Sequence, residues 1–533
     1  MAAPTMMAPR RERREPGSFS RLWVGIVIGV AAASCLAIFL AHRYWPFEPQ
    51  TVIQDLQDAT NSRVQVQSFH RRYFPRPGIT LRGVTLVHDA DAAKPLATID
   101  KLTIRGSYLG IMTHHVDQVR AEGLHIFVPP FGTAQAFHTQ PSAITVGKLI
   151  VDGGTLEFGL HQAQKPPLRF DIHEATLQDL AWLRPFSYRI KLHNPNPSGE
   201  IAASGEFGAW SQQSAAETPI SGEFKFEDAD LSIYGGIAGK LSSTGKFSGN
   251  LGHINISGTT DTPEFKVQDG GNPVHLTSQF AAYVDATRGD TFLKHVDALF
   301  GRTRIIADGS IAKSATSEGK AASLTLIAQR GRIEDILGLF VSSGRSPMSG
   351  QVSVRVKVEI PPGKRPFLEK VRLRGKFGVG KGEFSNSSTQ ESVDKLSAGA
   401  LGEKDRSDPA TAMTDLTGEV ALGNGVANFS DLSFGVPGAT ARLHGTYDVI
   451  HYNIDLHGQM KVQTKISNTN TGAKALLLRL MDPLFKKRKR GEVLPVQITG
   501  TYQHPSFGLD PMDKRAQVPV PSRREMRSQL RQH

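Results

Sequence analysis

The stretch nearest to a binding signature is GKFGVGKG, Gly375 to Gly382, one residue short of the glycine-rich loop that cradles phosphates. Such a loop needs a Ser or Thr after its lysine to hold magnesium, and a helix N-terminus to aim backbone N–H groups at the phosphate. Gly382 stands where the hydroxyl is required, and the stretch reads as strand running into strand, so nucleotide binding is not expected. The chain has 18 histidines, which prompts a search for metal ligands. His114 and His115 are adjacent and would point to opposite faces of a strand. His173-Glu174 begins like a zinc-protease helix, but Leu177 occupies the place of the second histidine. The one cysteine, Cys35, allows neither a CxxC ligand pair nor a disulfide within the chain. There is no GxSxG nucleophile elbow. The acid pairs Asp89/Asp91 and Asp228/Asp230 sit among turn-forming residues and read as solvated loop acids. These readings lead to the expectation of a non-enzymatic protein without cofactor or metal.

The chain that must position any site has 533 residues, enough for three or four units of ~150 residues. A charged fraction of 21% argues against wholesale disorder, and the 52 glycines follow no collagen period. The net charge of +12 is carried by three short segments: residues 1–21, the run Lys486, Lys487, Arg488, Lys489 and Arg490, and residues 511–533. The rest is neutral, which sets nucleic-acid binding aside, because a nucleic-acid reader spreads basic residues over a folded face.

Leu22 to Ala41 is twenty residues without a charge, the length needed to cross a hydrocarbon core of about 30 Å. Arg10, Arg11, Arg13, Arg14 and Arg21 precede it, whereas Arg43 is soon balanced by Glu48. The positive-inside rule then leaves the N-terminus in the cytoplasm and the bulk of the chain on the far side of the membrane. A cleaved signal peptide has a shorter apolar core and a small-residue exit, which this segment lacks.

That bulk reads as strands. Val352, Val354, Val356, Val358 and Ile360 alternate with Ser353, Arg355, Lys357 and Glu359, the period-2 pattern of a half-buried strand. Tyr452-Ile454-Leu456, Tyr188-Ile190-Leu192, Leu156-Phe158-Leu160 and Leu102-Ile104 repeat it. Alternation of this kind implies antiparallel sheet with one apolar and one wet face. A loose repeat of glycine, polar, apolar recurs from Gly205-Glu-Phe through Gly245-Lys-Phe and Gly375-Lys-Phe to Gly500-Thr-Tyr. Each glycine is expected to supply the positive-φ turn or bulge that opens a strand. Helical pattern is confined to Thr51–Ala59, to Ile333, Ile336, Leu337 and Phe340, and to residues 472–489, whose leucines lead into the basic run. There the five cations would dock on anionic headgroups, or simply complement a solvated helix end.

Three parts of the sequence carry a resemblance to the AsmA-like family of bacterial envelope proteins. They are the single N-terminal span followed by RPGITLRGVTLVHD, LATIDKLTIRGSYLGIM and VDQVRAEGLHIFVPP; SGEFGAW through LSSTGKFSGNLGHINISGTTDTPEF; and LTGEVALGNGVANFSDLSFGVPGATARLHGTYDV with VLPVQITGTYQHPSFGLD. The resemblance implies an elongated, curved, mainly β trough whose apolar inner face binds or conducts phospholipid or another acyl-chain lipid in support of outer-membrane homeostasis and biogenesis. It also implies a basic cytoplasmic tail (1–21), a transmembrane helix (22–41), an N-terminal AsmA-like region (42–200), middle β-groove repeats (201–398), a linker (399–412), an AsmA-like C-terminal region (413–510) and a basic tail (511–533). Val352, Val354, Val356, Val358, Ile360, Tyr452, Ile454 and Leu456 are the expected groove lining. About 30 strands at ~4.8 Å each would extend on the order of 140 Å, too short for a complete bridge, so a shuttle, a partial conduit or a bridge completed by an outer-membrane partner is expected. The alternative is an outer-membrane protein assembly factor that works by strand addition without carrying lipid.

Overall fold

The structure is a computed structural model that describes residues 49–510 except 61, 88–94, 129–143, 160–166, 212, 268–270, 315–318, 341–345, 347, 364, 385–413, 437–438, 463–492 and 502–503. The expected span 22–41, the linker 399–412, the leucine helix with Lys486 to Arg490, and both basic tails fall outside these residues. No helix among the described residues is long and apolar enough to cross a membrane.

The described residues form one long, curved, open sheet of 24 strands. The first nine are β1 (Arg63–Arg72), β2 (Gly78–Val87), β3 (Ala97–Arg105), β4 (His115–Val128), β5 (Thr145–Phe158), β6 (Leu168–Leu180), β7 (Phe186–Pro195), β8 (Ser198–Phe207) and β9 (Pro219–Asp230). The two-residue β10 (Ile237–Ala238) is followed by β11 (Lys240–Asn250), β12 (His253–Val267), β13 (Val274–Asp285), β14 (Asp290–Phe300), β15 (Thr303–Lys313), β16 (Lys320–Arg332), β17 (Met348–Ile360) and β18 (Arg372–Phe384). The sheet ends with β19 (Thr414–Gly423), β20 (Val426–Val436), β21 (Ala439–Asp448), β22 (Asn453–Val462), β23 (Val493–Thr501) and β24 (His504–Leu509). The short helices are α1 (Pro49–Thr60), α2 (Tyr108–Met112), α3 (Ile333–Gly338) and α4 (Phe367–Lys370). The first and third coincide with two of the sequence-based helices.

Consecutive strands pair antiparallel almost throughout, with β10 set aside against the end of β12 so that β9 pairs directly with β11. One joint departs from the expected antiparallel order: β4 and β5 are parallel, with His115 beside Thr145 and Val128 beside Phe158. Parallel neighbours need a crossover along the strand length where antiparallel ones need only a tight turn, and sixteen residues separate Val128 from Thr145 in the sequence. The division expected at residue 200/201 falls inside β8, through which the sheet is continuous.

The strands form because their side chains alternate, and the alternation is visible in burial. In β17, Val352, Val356 and Val358 are buried while Arg355, Lys357 and Glu359 are exposed. The wet face carries cross-strand ion pairs at facing positions, such as Lys101–Glu122 at 2.7 Å, Lys246–Glu223 at 2.7 Å and Lys376–Glu419 at 2.8 Å. Exposed pairs of this kind add little stability. They do hold register, since a one-residue slip would turn every such charge onto the apolar face.

The repeated glycines meet the expectation in part: Gly309, Gly350, Gly445 and Gly500 have positive φ, and Gly350 sits at a register shift at the start of β17. Gly245, Gly375 and Gly458 lie inside strands, on the apolar face, and do not open them. A Cβ on Gly245 would collide with the Ser257 carbonyl oxygen and come within 2.7 Å of the Phe224 ring; one on Gly375 would collide with the Arg355 carbonyl oxygen and lie 2.6 Å from the Val356 Cα. The main chain of the neighbouring strand stands where a side chain would point, so the sheet bends toward its apolar face. Gly245→Val therefore lowers stability by about 1–3 kcal/mol through overpacking. Gly423→Ala, whose added Cβ would meet nothing within 4 Å, leaves it unchanged. Thermal denaturation of the two variants checks this.

At the far edge, His457 of β22 reaches across β23, its Nδ1 2.7 Å from an Asp510 carboxylate oxygen and its Nε2 2.9 Å from Asp455. The Asp510 hydrogen bond, followed by that of Asp455, raises the His457 pKa against the opposing effect of burial. A raised histidine pKa stabilises the folded state fully below the ordinary histidine range, and the effect is lost as pH rises through the folded value. Amide protection in β24, corrected for intrinsic exchange, should thus fall as pH climbs past that range, and His457→Gln should abolish the pH dependence.

Candidate functional site

Following the register from strand to strand exposes a single row of side chains that crosses the whole sheet. It begins with Phe69, Leu81, Leu102, Ala121, Val151 and Ala175. Through the middle strands it continues as Ile190, Ala203, Phe224, Gly245, Gly258, Phe280 and Val296. It then passes Ala307, Leu326, Val356, Gly375 and Val420, and ends through Phe429, Gly445, Leu456, Ile498 and Phe507. Every strand except β10 contributes one residue, and none of them is polar. A parallel row carries Tyr188, Gly205, Gly222, Phe247, Ile256 and Ala282 in the middle and Leu324, Val358, Leu373 and Leu422 beyond. On the other side Ser243, Thr260 and Ser278 bring small hydroxyls, and Thr260 and Ser278 bond each other at 2.7 Å.

The cover over this face is uneven. At the start, Val52, Ile53 and Leu56 of α1 pack on Ile79, Leu81, Leu102 and Ala121, and Leu81 is wholly buried. Further along, Phe367 of α4 and Val371 close over Val356, Val358 and Leu324. The last strands bury Leu432, Leu443, Met460 and Leu494 together. Between these covered ends, Phe224, Phe226, Phe247, Ile254, Ile256 and Phe280 are only half-buried. Aromatic rings gather there: Phe186 stacks on Phe207 at 5.3 Å and Phe224 lies 6.4 Å from Phe247. A hollow of about 860 Å³ crosses β7, β8, β9, β11 and β12, and most of its lining stands at the outward positions that alternate with the row, among them Arg189, Lys191, Glu223, Lys225, Thr244 and Lys246. Ile190, Ala203, Phe224, Gly245 and Gly258 of the row complete it. Burial pushes the Tyr188 phenol, in the same region, up to about 12.

Comparison with protein-family models, with curated proteins and with solved structures finds no match. The functional argument therefore rests on the geometry of the chain itself.

The residues expected to line a groove are brought together in part. Val356 and Leu456 stand in the first row, and Val358 is in the second, which reaches Ile454 through Leu422, Ala427 and Tyr447. Val352, Val354 and Ile360 share their face. Tyr452 lies in the turn before β22 with φ 60° and is exposed. Lys486, Lys487, Arg488, Lys489 and Arg490 lie outside the described residues. The GKFGVGKG stretch is the middle of β18, where its N–H groups face strand neighbours instead of converging on an anion. Asp230 caps Ser232 and bonds Lys240 at 2.7 Å, and that lysine holds its carboxyl well below the usual range. His173 of the zinc-like dipeptide bonds Glu200 at 2.9 Å on the wet face. Sequence reasoning missed what else converges there: His193 bonds Glu200 through Nδ1 at 2.8 Å and Ser198 through Nε2 at 3.1 Å. This resembles a hydrolase triad in connectivity, but Glu200 is shared by two histidines, and the four side chains stand in water on β6 and the β7–β8 hairpin.

The contrast between covered and open stretches predicts unequal costs for a buried charge. Val356→Asp, beneath Phe367, should destabilise the protein by roughly 3 kcal/mol or more, because the carboxylate is sealed from water. Phe247→Asp, on the open stretch, should cost less than half as much. Chemical denaturation of the two variants distinguishes them.

Proposed function

We propose that this chain is an AsmA-like, non-enzymatic protein of the bacterial envelope, anchored in the inner membrane by residues 22–41, whose periplasmic apolar trough binds or conducts phospholipid for outer-membrane homeostasis. The observation that carries the reading is the unbroken apolar row, left half-open over β7 to β15. Soluble proteins rarely leave a contiguous apolar patch of more than a few hundred Å² facing water without a ligand or partner for it. An extended acyl chain suits such a strip, gaining about 0.8 kcal/mol for each methylene removed from water. With 24 strands at ~4.8 Å, the sheet runs roughly 110 Å along its curve, which favours a shuttle or partial conduit over a complete bridge.

Strand addition to a protein client is the second reading. It is favoured by the two sheet edges, since among the described residues β1 pairs only with β2 and β24 only with β23.

A photo-cross-linking amino acid placed in the full-length protein in cells separates the two. At Phe224 and Phe247 it should capture phospholipid, identified by mass spectrometry of the adduct, and at the outward Lys225 and Lys246 it should not. Protein adducts at Ser506 of β24, with no lipid at Phe224 or Phe247, would replace lipid carriage by strand addition.

A further inference from the structure

The charge of the neutral body is unevenly spread along the chain. From Arg63 to Val87 there are five arginines and no acid. Within it, the β1–β2 turn presents Tyr73 and Phe74, the latter 83% exposed. Because Gly78 of β2 faces Arg105 of β3, the β3–β4 connection with α2 emerges at the same end of the sheet. There Leu109 is 80% exposed and the Tyr108 hydroxyl donates a 2.5 Å hydrogen bond to the Tyr73 carbonyl, joining the two loops. Arg72, Arg76 and Arg105 are exposed around them. An aromatic and a leucine that project into water beside arginines have no packing role among the described residues.

We propose that Tyr73, Phe74, Tyr108 and Leu109 form a bilayer-docking tip that seats the first end of the trough on the surface of the membrane holding the anchor. The proposal rests on residues 22–41 being a membrane span. Only residues 42–48 separate that span from α1, so Pro49 lies within roughly 25 Å of the surface. Val52, Ile53 and Leu56 of α1 share a buried cluster with Ile79 and Ile104, which stand beside the β1–β2 turn and the β3–β4 connection. The chemistry matches a membrane interface: aromatic rings favour headgroup depth, leucine the acyl boundary, and arginines the anionic phosphates. The basic tip would also orient the trough so that its β1 end, where Phe69 is exposed on the inner face, opens at the bilayer.

The test uses full-length protein with Cys35→Ser, carrying Phe74→Cys, Leu109→Cys or, at the far end of the sheet, Tyr452→Cys, each labelled with a polarity-sensitive fluorophore. The protein is reconstituted into phosphatidylethanolamine vesicles with a phosphatidylglycerol fraction and a lipid bearing a shallow acyl-chain nitroxide. Labels at 74 and 109 should be quenched about twofold or more, as expected for insertion 5–10 Å deep, and the label at 452 should not. Adding Phe74→Glu to the Leu109→Cys protein should remove the quenching. Vesicles that float with protein at high salt while 74 and 109 stay unquenched would overturn the docking tip and leave the anchor standing. Quenching that disappears together with flotation at high salt would keep the tip and overturn the anchor. Protein that never floats would overturn both.

Discussion

Everything in this structure depends on one constraint: from β1 to β24 each strand turns its apolar residues to the same side of a sheet that has almost no helix to lay over it. Side chains alternate across a strand with period 2, and hydrogen bonding then locks each strand's apolar set beside that of its neighbour. A flat sheet built this way would hold a broad greasy surface in water. Bending toward that surface is the available relief. The glycines at Gly245, Gly375 and Gly458 make the bend possible, because they leave room for the neighbouring main chain on the inside of the curve.

The bend alone does not hide the face uniformly. Where α1 and α4 lie across it, Leu81, Val356 and Val358 behave as ordinary core. Over the middle strands nothing among the described residues lies on top, and the phenylalanines remain half-exposed. The same apolar alternation therefore serves stability at the ends and leaves an unsatisfied surface in the centre. The opposite face needs no such explanation. Its His193–Glu200–His173 cluster is solvated, and its ladder of Lys–Glu pairs keeps the register from slipping.

Much of this could be read in the residues in order. Val352 to Ile360 announce a one-sided strand without reference to any other part of the chain, and the leucine and isoleucine spacings of α1 and α3 are equally local. The absence of a hydroxyl after Lys381 already denied a phosphate loop. Other features were not legible. The glycine repeat suggested strand openings because glycine's tolerance of positive φ is a local property, whereas the reason for Gly245 is the Ser257 carbonyl on another strand. Tyr452 matched the alternation of Ile454 and Leu456 but belongs to the preceding turn. The five arginines around Tyr73 and Phe74 were present in the sequence, yet they vanish in a charge count taken over a neutral body.

What the sequence by itself determined is the sidedness of each strand, since period-2 alternation is a property of a single segment. The tertiary structure decided the rest. It aligned those sides into one uninterrupted row, placed the parallel joint between β4 and β5, chose which stretches α1 and α4 would cover, and brought Phe74 beside Leu109. Each of these depends on register and cover between residues far apart in the chain, and no local pattern encodes a distance to a neighbour that only folding supplies.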